Sequence, residues 1–363
     1  MNRFSAALLI YISAFFGLFA QEAKQPNVFL ITLDGVRWQE VFQGIDTALV
    51  KNEKYTKDKK VLEEKFLGKS IQENRKKLMP FLWTTIAENG QIYGNKALGN
   101  VFKLTNTMLF SYPGYNEILT GYADDKNVNS NDKINNQNVT ILEKANNDKK
   151  YAGKVAAFCS WDVFPYIINE KRSGVPVNAG YEKATGELTE TEELLNQMQV
   201  QAPVIWNTVR PDVFTHQFAK AYLKKNKPKF LYIAYGETDD FAHSGSFDNY
   251  IRSLHNTDGL IADLWAYVQN HPFYKNNTYF IITTDHGRGK GVEKNHEWTS
   301  HGAGIVDAEY TWLAVIGPEV KPKGEMKTNN EHYANEIAAT IAKIMGISLN
   351  EERAGKAIEP VFE

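Results

Sequence analysis

The sequence predicts an α/β fold, a mostly parallel central sheet with helices on both faces and with additional cap or insertion segments. Short apolar, β-branched runs alternate with longer amphipathic segments along the chain, which is the order of elements in parallel sheets. Three of the apolar runs lead into acidic residues, Asp34, Asp239 and Asp285. Because side chains at the carboxyl ends of parallel strands face the crevice where such sheets bind ligands, these acids mark the expected site.

The strands are predicted from short apolar runs that are rich in β-branched and aromatic residues and are closed by turn residues. The first run ends at Asp34-Gly35, and the fourth ends at Asp285-His286. A continuous apolar run without polar alternation is typical of a strand that is buried on both faces, as in a parallel sheet. The predicted strands are residues 27–33, 154–160, 229–235, 279–284 and 310–316.

The helices are predicted where apolar residues recur every three to four positions. Ser111 and Pro113 indicate a turn before a helix that begins near Asn116, and the Lys-rich segment 44–77 is predicted to be surface helix and loop. One predicted helix ends at Gly90, since glycine often follows the last turn of a helix. The predicted helices are residues 78–90, 187–199, 210–226, 248–269 and 332–346.

The first 20 residues are predicted to be a signal peptide. Arg3 gives the segment a positive start, residues 6–19 are apolar, and Ala20 is a small residue at a cleavage point, which together make the secretory pattern. We therefore expect a secreted or periplasmic protein with no transmembrane segment in the mature chain. Residues 21–363 are expected to form a single domain, with a cap or insertion around residues 125–210.

The composition argues against two kinds of site. The chain has 41 Lys and Arg against 43 Asp and Glu, with a net charge of −2, so no basic surface for nucleic acid is expected. Its one cysteine, Cys159, excludes a disulfide within the chain and a zinc site built on several cysteines. Any metal site must therefore use oxygen and nitrogen ligands.

Acidic residues and histidines occur together after the predicted strands. Asp239 and His243 are four positions apart, so they lie on one face if this turn is helical and can reach a single cation. Asp240 lies three positions from His243 and is the alternative carboxylate. The sequence leaves this choice open.

Asp285 and His286 stand side by side after the next strand, and His301 follows in a Gly-rich loop. Carboxylate oxygens and imidazole nitrogens together suit zinc, with manganese as the alternative. Two such ions about 4 Å apart can hold the attacking and leaving oxygens of a displacement at phosphorus, and a nearby serine, Ser111, is the candidate nucleophile. The candidate metal ligands are Asp34, Ser111, Asp239, His243, Asp285, His286 and His301.

The chain resembles the alkaline phosphatase superfamily, in its nucleotide pyrophosphatase/phosphodiesterase and phosphoglycerate-mutase-like branch. The resemblance covers nearly all of the mature chain. It rests on the order and spacing of the segments LDGVRWQEVF, LMPFLWTTIAENG, SYPGYNEILTG, ETDDFAHSG, TTDHGRG, HG and ANEIAATIAKIMGI. It implies a metal-dependent hydrolase of small-molecule phosphate esters, a phosphomonoesterase or a phosphodiesterase, that works through a covalent phospho-enzyme.

The resemblance also implies a role for each residue. Ser111 falls at the position of the nucleophile, and a downstream Asn, preferably Asn131 rather than Asn129, would hydrogen-bond a phosphoryl oxygen. The backbone N–H of Ser111 or Tyr112 is a further donor to that oxygen. One of two zinc ions would be held by Asp34, Asp285 and His286, and the other by Asp239, His243 and His301.

Two departures from the family patterns limit the transfer of specificity. Tyr115 stands where sulfatases with the motif C/S-x-P-x-R have Arg, and Gly114-Tyr115 replaces the Asn-His of the diesterase motif F-P-N-H. Arg288 is a candidate to bind the non-bridging oxygens of a phosphomonoester. The open alternatives are a sulfate ester hydrolase, a phospho-group transferase of the same superfamily, and a non-catalytic metal- or ligand-binding homologue.

Overall fold

The computed structural model describes residues 25–363. The predicted signal peptide, residues 1–20, lies outside the described residues. Within the described range, the strands are β1 (Asn27–Leu33), β2 (Gln91–Tyr93), β3 (Val101–Lys103), β4 (Val155–Cys159), β5 (Val177–Ala179), β6 (Phe230–Tyr235), β7 (Thr278–Thr283), β8 (Leu313–Ile316), β9 (Gly324–Glu325) and β10 (Glu331–Tyr333).

The helices alternate with these strands along the chain. They are α1 (Trp38–Gln43), α2 (Thr47–Val50), α3 (Lys59–Phe66), α4 (Ile71–Leu78), α5 (Ala87–Asn89), α6 (Ser111–Thr120), α7 (Ile141–Asn147), α8 (Phe164–Ile167), α9 (Glu170–Ser173), α10 (Glu190–Gln201), α11 (Asp212–Asn226), α12 (Glu237–His243), α13 (Phe247–Asn270) and α14 (Ile337–Met345). A π-helical turn at Leu82–Ile86 leads into α5, and 3₁₀ turns lie at Lys96–Leu98, Ala334–Glu336 and Glu359–Val361.

The main sheet has the strand order β5-β4-β6-β1-β7-β8-β2-β9. Neighbouring strands from β5 to β7 run parallel, and β8 is antiparallel to both β7 and β2. The predicted α/β fold with a mostly parallel sheet is therefore confirmed. A separate pair of strands, β3 and β10, lies outside this sheet.

Side chains of β1 point alternately into two hydrophobic cores, which is why its sequence is apolar throughout. Phe29 and Ile31 pack in the core under α11 and α13. Val28 and Leu30 pack in the core under α6 and α14 on the opposite face. Helices thus cover both faces of the sheet, and the carboxyl ends of the parallel strands from β5 to β7 lie at the same end of it.

The structure differs from the sequence prediction at several places. The segment predicted as a helix from residue 332 begins instead as β10, which pairs with β3, and becomes α-helical at Ile337. Ser111 is the first residue of α6 rather than part of a preceding turn. The predicted insertion at residues 125–210 contains β4 and β5 of the main sheet, so only the segments before, between and after these two strands lie outside the sheet.

Among residues 25–363, no helix has the length and apolar character needed to cross a membrane.

Candidate metal centre

Three neighbouring strands place the candidate ligands at the same end of the sheet, beyond their carboxyl ends. In the strand order, β1 lies between β6 and β7. Asp34 follows β1 directly, α12 with Asp239 and His243 begins two residues after β6, and Asp285 comes two residues after β7. Residues that are about 250 positions apart in sequence therefore meet because parallel strands end at the same edge.

A fourth element, α6, places Ser111 beside these residues. Ser111 is the first residue of the helix and is buried, with 5% of its surface exposed. The helix comes close because Gly114 has no side chain: a methyl group there would lie 2.2 Å from the backbone carbonyl oxygen of Asp285. The glycine that departs from the diesterase motif thus permits contact between α6 and the end of β7.

The first cluster is built from Asp34, Asp285 and His286, all of which are buried. Nε2 of His286 lies 3.4 Å from Oδ1 of Asp34 and 3.5 Å from Oδ2 of Asp285. The hydroxyl of Ser111 lies 3.3 Å from the same nitrogen. The residues assigned by resemblance to the first metal ion thus lie together, with the serine at their side.

The second cluster contains Asp239, His243 and His301. Oδ2 of Asp239 lies 3.1 Å from Nε2 of His243, and the Nε2 atoms of His243 and His301 are 2.9 Å apart. Oδ1 of Asp239 lies 3.8 Å from Nε2 of His301 and also 3.8 Å from Nε2 of His286. Nε2 of His286 therefore faces ligand atoms of both clusters.

The donor atoms of both clusters suit divalent metal ions. Oδ1 of Asp34 and Oδ2 of Asp285 are buried and have no hydrogen-bond partner within the part of the chain that the structure describes. A buried carboxylate oxygen without a partner is costly unless a cation neutralises it. Oxygen and imidazole ligands in this number fit zinc or manganese.

The electrostatics of the site also favour added positive charge. Burial and the neighbouring carboxylate of Asp239 raise the pKa of Asp34, and burial and the charge of Asp34 raise the pKa of Asp285 well above its usual value. Burial would lower the pKa of His286, but the adjacent carboxylates raise it to about 9. Burial together with the charge of Asp239 raises the pKa of Asp240 to about 8. Close carboxylates that oppose each other's ionisation are stabilised by a bound cation.

Each ligand of the first cluster also has a partner outside the cluster. The hydroxyl of Tyr115 donates to Oδ2 of Asp34 at 2.8 Å, and the backbone N–H of Gly35 donates to Oδ1 of Asp285 at 3.1 Å. Nδ1 of His286 lies 2.9 Å from the carbonyl oxygen of Gly287, which favours the tautomer whose Nε2 lone pair is available to a metal. The role of Tyr115 was not predicted, although its departure from the family motifs marked the position as unusual.

Gly35 also makes room for the second cluster. Its backbone has a φ of +62°, and a Cβ atom there would lie 2.6 Å from Oδ1 of Asp239 and 2.9 Å from Nη1 of Arg288. Only glycine adopts this conformation without strain while leaving that space open.

Arg288 is buried behind the second cluster. Its guanidinium donates to Oδ1 of Asp239 and to the backbone carbonyl oxygens of Trp298 and Thr299, the latter two at 2.9 and 2.7 Å. Burial alone would raise the pKa of Asp239, but Arg288 and the nearby histidines lower it well below its usual value. Arg288 is therefore paired with a candidate metal ligand. Its contact with substrate stays a prediction.

Asn131 lies beside the nucleophile, whereas Asn129 turns away. Oδ1 of Asn131 accepts a hydrogen bond from the backbone N–H of Tyr112 at 3.0 Å. The N–H of Tyr112 was a candidate donor to a phosphoryl oxygen. In the structure it already donates a hydrogen bond to Asn131. Because a backbone donor requires the oxygen at that position, the Nδ2 group of Asn131 points away from that N–H, and its contact with a substrate stays a prediction. The side chain of Asn129 bonds to the carbonyl oxygen of Lys126 at 3.2 Å.

Comparison with curated proteins finds relatives among phosphoglycerate mutases. A probable 2,3-bisphosphoglycerate-independent phosphoglycerate mutase of Leptospira interrogans is 28% identical over 148 residues, which cover 38% of this chain and 26% of that protein. The mutase of Gracilaria tenuistipitata is 22% identical over 341 residues, which cover 88% of this chain and 60% of that protein. The chain thus spans about a quarter of the first relative and three fifths of the second.

Comparison with solved structures finds the same fold in enzymes of the alkaline phosphatase-like superfamily. The alkaline phosphatase PafA superposes with a TM-score of 0.65 at 11% identity, covering 93% of this chain and 99% of that chain. The lipoteichoic acid synthase LtaP of Listeria monocytogenes gives 0.59 at 12% identity, covering 94% and 76%. The murine ectonucleotide pyrophosphatase/phosphodiesterase 5 gives 0.56 at 10% identity, covering 91% and 98%.

The sequence of this chain also matches that of a protein family. Residues 63–349 match the Metalloenzyme superfamily, a range that includes every candidate ligand except Asp34. The resemblance to the alkaline phosphatase superfamily is thereby confirmed, and divalent metal binding follows from it at the level of the family. This protein belongs to the Metalloenzyme superfamily and has the alkaline phosphatase-like fold.

Proposed function

We propose that this protein is a phosphoric ester hydrolase that uses two divalent metal ions and Ser111 as its nucleophile. The observation that carries the proposal is the position of Ser111, which begins α6 with its hydroxyl 3.3 Å from Nε2 of His286. That nitrogen faces carboxylate oxygens of both clusters. A hydroxyl beside two groups of metal ligands is the arrangement that displacement at phosphorus requires.

One ion would be held by Asp34, Asp285 and His286 beside Ser111, and the other by Asp239, His243 and His301. Bound ions would supply the positive charge that favours the serine alkoxide and the departing oxygen. Zinc suits these ligands, with manganese as the alternative.

In the proposed reaction, Ser111 forms and breaks the bond to phosphorus, and Asn131 binds the phosphoryl group. Oγ of Ser111 loses its proton and attacks phosphorus, the bond between phosphorus and the ester oxygen breaks, and the departing oxygen takes up a proton from solvent to leave as the alcohol. Water then loses a proton and attacks the phosphoserine, the bond between Oγ and phosphorus breaks, and Oγ takes up a proton to regenerate the hydroxyl. Throughout, Nδ2 of Asn131 donates to a non-bridging oxygen, because Oδ1 is fixed by the N–H of Tyr112.

We also propose that the protein acts outside the cytoplasm, on the basis of the signal-peptide pattern in residues 1–20. Amino-terminal sequencing of the protein purified from its own host tests this, with a start at Gln21 as the expected result. A start at Met1 would contradict it.

The test of the function is Ser111→Ala, assayed on a phosphate monoester, a phosphate diester and a sulfate ester of nitrophenol. We expect kcat on the preferred phosphate ester to fall on the order of 10³-fold or more, because the nucleophile is lost. Metal content by plasma mass spectrometry should stay at about two ions per chain, as two-metal sites of this kind require. Ser348→Ala removes an exposed serine and should change neither quantity.

Three results would favour a rival function. An aldehyde at position 111 with turnover of the sulfate ester would indicate a sulfatase. Transfer of phosphate to an added alcohol, faster than to water, would indicate a phospho-group transferase. Two bound metals without turnover of any of the three esters would favour the non-catalytic alternative, and unchanged turnover in Ser111→Ala would remove the covalent mechanism.

A further inference from the structure

The helix α12, which carries Asp239 and His243 of the second cluster, is held at its first turn by a buried carboxylate from another helix. This carboxylate belongs to Asp212, the first residue of α11, which is 2% exposed. Its Oδ1 accepts the backbone N–H of Gly236 at 2.8 Å, and its Oδ2 accepts the backbone N–H of Glu237 at 3.3 Å. The N-cap residue of α12 is Gly236, which has no side chain to accept these groups. Asp212 therefore takes the place of the missing N-cap side chain.

The first residues of α11 and α12 are joined by hydrogen bonds in both directions. The backbone N–H of Asp212 donates to Oε1 of Glu237 at 2.9 Å. Ser160, which directly follows β4 and is fully buried, donates its hydroxyl to Oδ1 of Asp212 at 2.6 Å. The beginning of α12 is thus fixed to α11 and to the carboxyl end of β4.

The hydrogen bonds of Asp212 end two residues before the first ligand of the second cluster. Between Glu237 and Asp239, the hydroxyl of Thr238 donates to the backbone carbonyl oxygen of Asp34. Because α12 has only seven residues, a shift of its first turn moves both ligands that it carries. Metal–ligand distances are fixed to within about 0.2 Å, so a small shift is enough to weaken the bound ion.

The first cluster is positioned by other elements. Asp34 directly follows β1, and Asp285 and His286 follow β7, whereas Asp212 bonds to α12 and to the residue after β4. We propose, on the basis of the two metal ions in the proposed function, that Asp212 is a positioning residue that sets the affinity for the second ion and not for the first. Groups that orient metal ligands commonly change metal affinity 10- to 100-fold.

The test of this inference is Asp212→Asn. The substitution keeps the size of the side chain, but an amide has a single oxygen, so one of the two backbone N–H groups of α12 must face the NH₂ group. Titration of the metal-free protein with zinc, in competition with a chromogenic chelator, measures the affinity for each of the two ions. In Asp212→Asn one ion should bind at least about tenfold more weakly, and the other should bind as in wild type.

The matched control is Asp258 of α13. It is 1% exposed, and its two oxygens accept the backbone N–H groups of Phe81 and Leu82 at 2.7 and 3.0 Å. These residues begin the π-helical turn Leu82–Ile86, which carries no candidate ligand. Asp258→Asn should lower the melting temperature, as Asp212→Asn does, because each leaves a buried N–H without an acceptor. It should leave the affinity for both ions unchanged.

Two further variants identify the ion and keep the test independent of folding. His243→Ala removes a ligand of the second cluster, so the ion that still binds tightly belongs to the first. The affinity for that ion should be the same with and without Asp212→Asn. Ser160→Ala is a milder change, because it removes only a hydroxyl that bonds to Asp212, and it should weaken the same ion as Asp212→Asn by a smaller factor.

Wild-type affinities for both ions in Asp212→Asn and in Ser160→Ala would overturn this inference and leave the proposed function intact. Equal losses for both ions, or the same loss in Asp258→Asn, would also overturn it, since Asp212 would then support the fold as a whole. A wild-type protein that binds fewer than two ions of zinc or manganese would overturn the two-metal function, and this inference with it.

Discussion

Each carboxylate beside Ser111 has one oxygen held by a hydrogen bond, and its other oxygen faces the candidate metal site. Asp34 receives the hydroxyl of Tyr115 on Oδ2, and Asp285 receives the N–H of Gly35 on Oδ1. The opposite oxygens are the buried atoms that lack a partner in the described chain. Groups that orient metal ligands in this way commonly strengthen metal binding 10- to 100-fold.

We therefore expect Tyr115→Phe to bind metal about 10- to 100-fold more weakly than wild type. The substitution removes only the hydroxyl, and the buried ring keeps its contact with Phe164, at a centroid distance of 4.7 Å. Competition with a chromogenic zinc chelator measures the affinity without any assay of turnover.

The control for this prediction lies on the same helix. Tyr112→Phe also removes a phenolic hydroxyl, but that hydroxyl bonds to the backbone carbonyl oxygens of Ile134 and Tyr166 rather than to a candidate ligand. Its zinc affinity should match that of wild type. Equal affinities for Tyr115→Phe and wild type would show that Tyr115 does not support Asp34.

Most of the candidate ligands could be proposed from the sequence because acids and histidines stand shortly after predicted strands. An acid such as Asp34 or Asp285 directly after a buried run is costly in a core and useful at the edge of a sheet. Tyr115 gave no such signal, because its partner is 81 positions away and only the packing of α6 brings the two together. The burial of Arg288 was hidden for the same reason, since loop sequence does not reveal which cations point inward.

At the scale of elements, strands were easier to predict than their surroundings. The strands β1, β6 and β7 are apolar on both faces, so continuous apolar runs marked them within one or two residues. The short strand β10 was predicted as part of a helix, because its three residues gain their strand conformation by pairing with β3. Such pairing is a tertiary effect that local spacing does not encode.

The contact between α11 and α13 predicts how the stability of the protein changes with pH. His216 of α11 is buried, with Nδ1 3.0 Å from the hydroxyl of Tyr235 and Nε2 2.9 Å from Oδ2 of Asp263 on α13. Burial lowers the pKa of His216 below its ordinary value of 6.5, although Asp263 opposes that change. The unfolded chain thus takes up the proton more readily than the folded protein does.

The direction of the change in stability with pH follows from the difference in pKa between the folded and the unfolded state. A group whose pKa is lower in the folded state contributes stability above its unfolded pKa, and this stability is lost as the pH falls below 6.5 towards the folded value. Denaturant unfolding between pH 8 and pH 5 should therefore show a smaller loss of stability in His216→Gln than in wild type. Asp263→Asn removes the opposing carboxylate and should steepen the loss. Parallel curves for wild type and His216→Gln would contradict the assignment.

At the scale of the molecule, the metal centre connects parts of the chain that are far apart in sequence. Asp34 follows β1, Ser111 begins α6, Asp239 lies in α12, and His286 and His301 belong to the segment after β7. Each element is held to the sheet by its own core contacts, and their polar ends come together around the candidate ligands. Bound ions would therefore stabilise the folded chain relative to the unfolded one, in which these residues are dispersed.

Removal of metal should consequently lower the melting temperature. At free zinc of about 1,000 times Kd, one site adds about 4 kcal/mol to the free energy of unfolding, so we expect the metal-loaded protein to melt at least roughly 5 °C above the chelator-treated protein. Differential scanning calorimetry with EDTA, and then with zinc or manganese restored, measures the difference. Asp34→Asn should show a smaller rise on adding zinc, because it weakens one cluster, whereas Glu64→Gln, which neutralises an exposed carboxylate on α3, should show the full rise. If neither metal raised the melting temperature of wild type above its value in EDTA, the two clusters would not be a metal centre in this protein, since tight binding to the folded state alone must stabilise it.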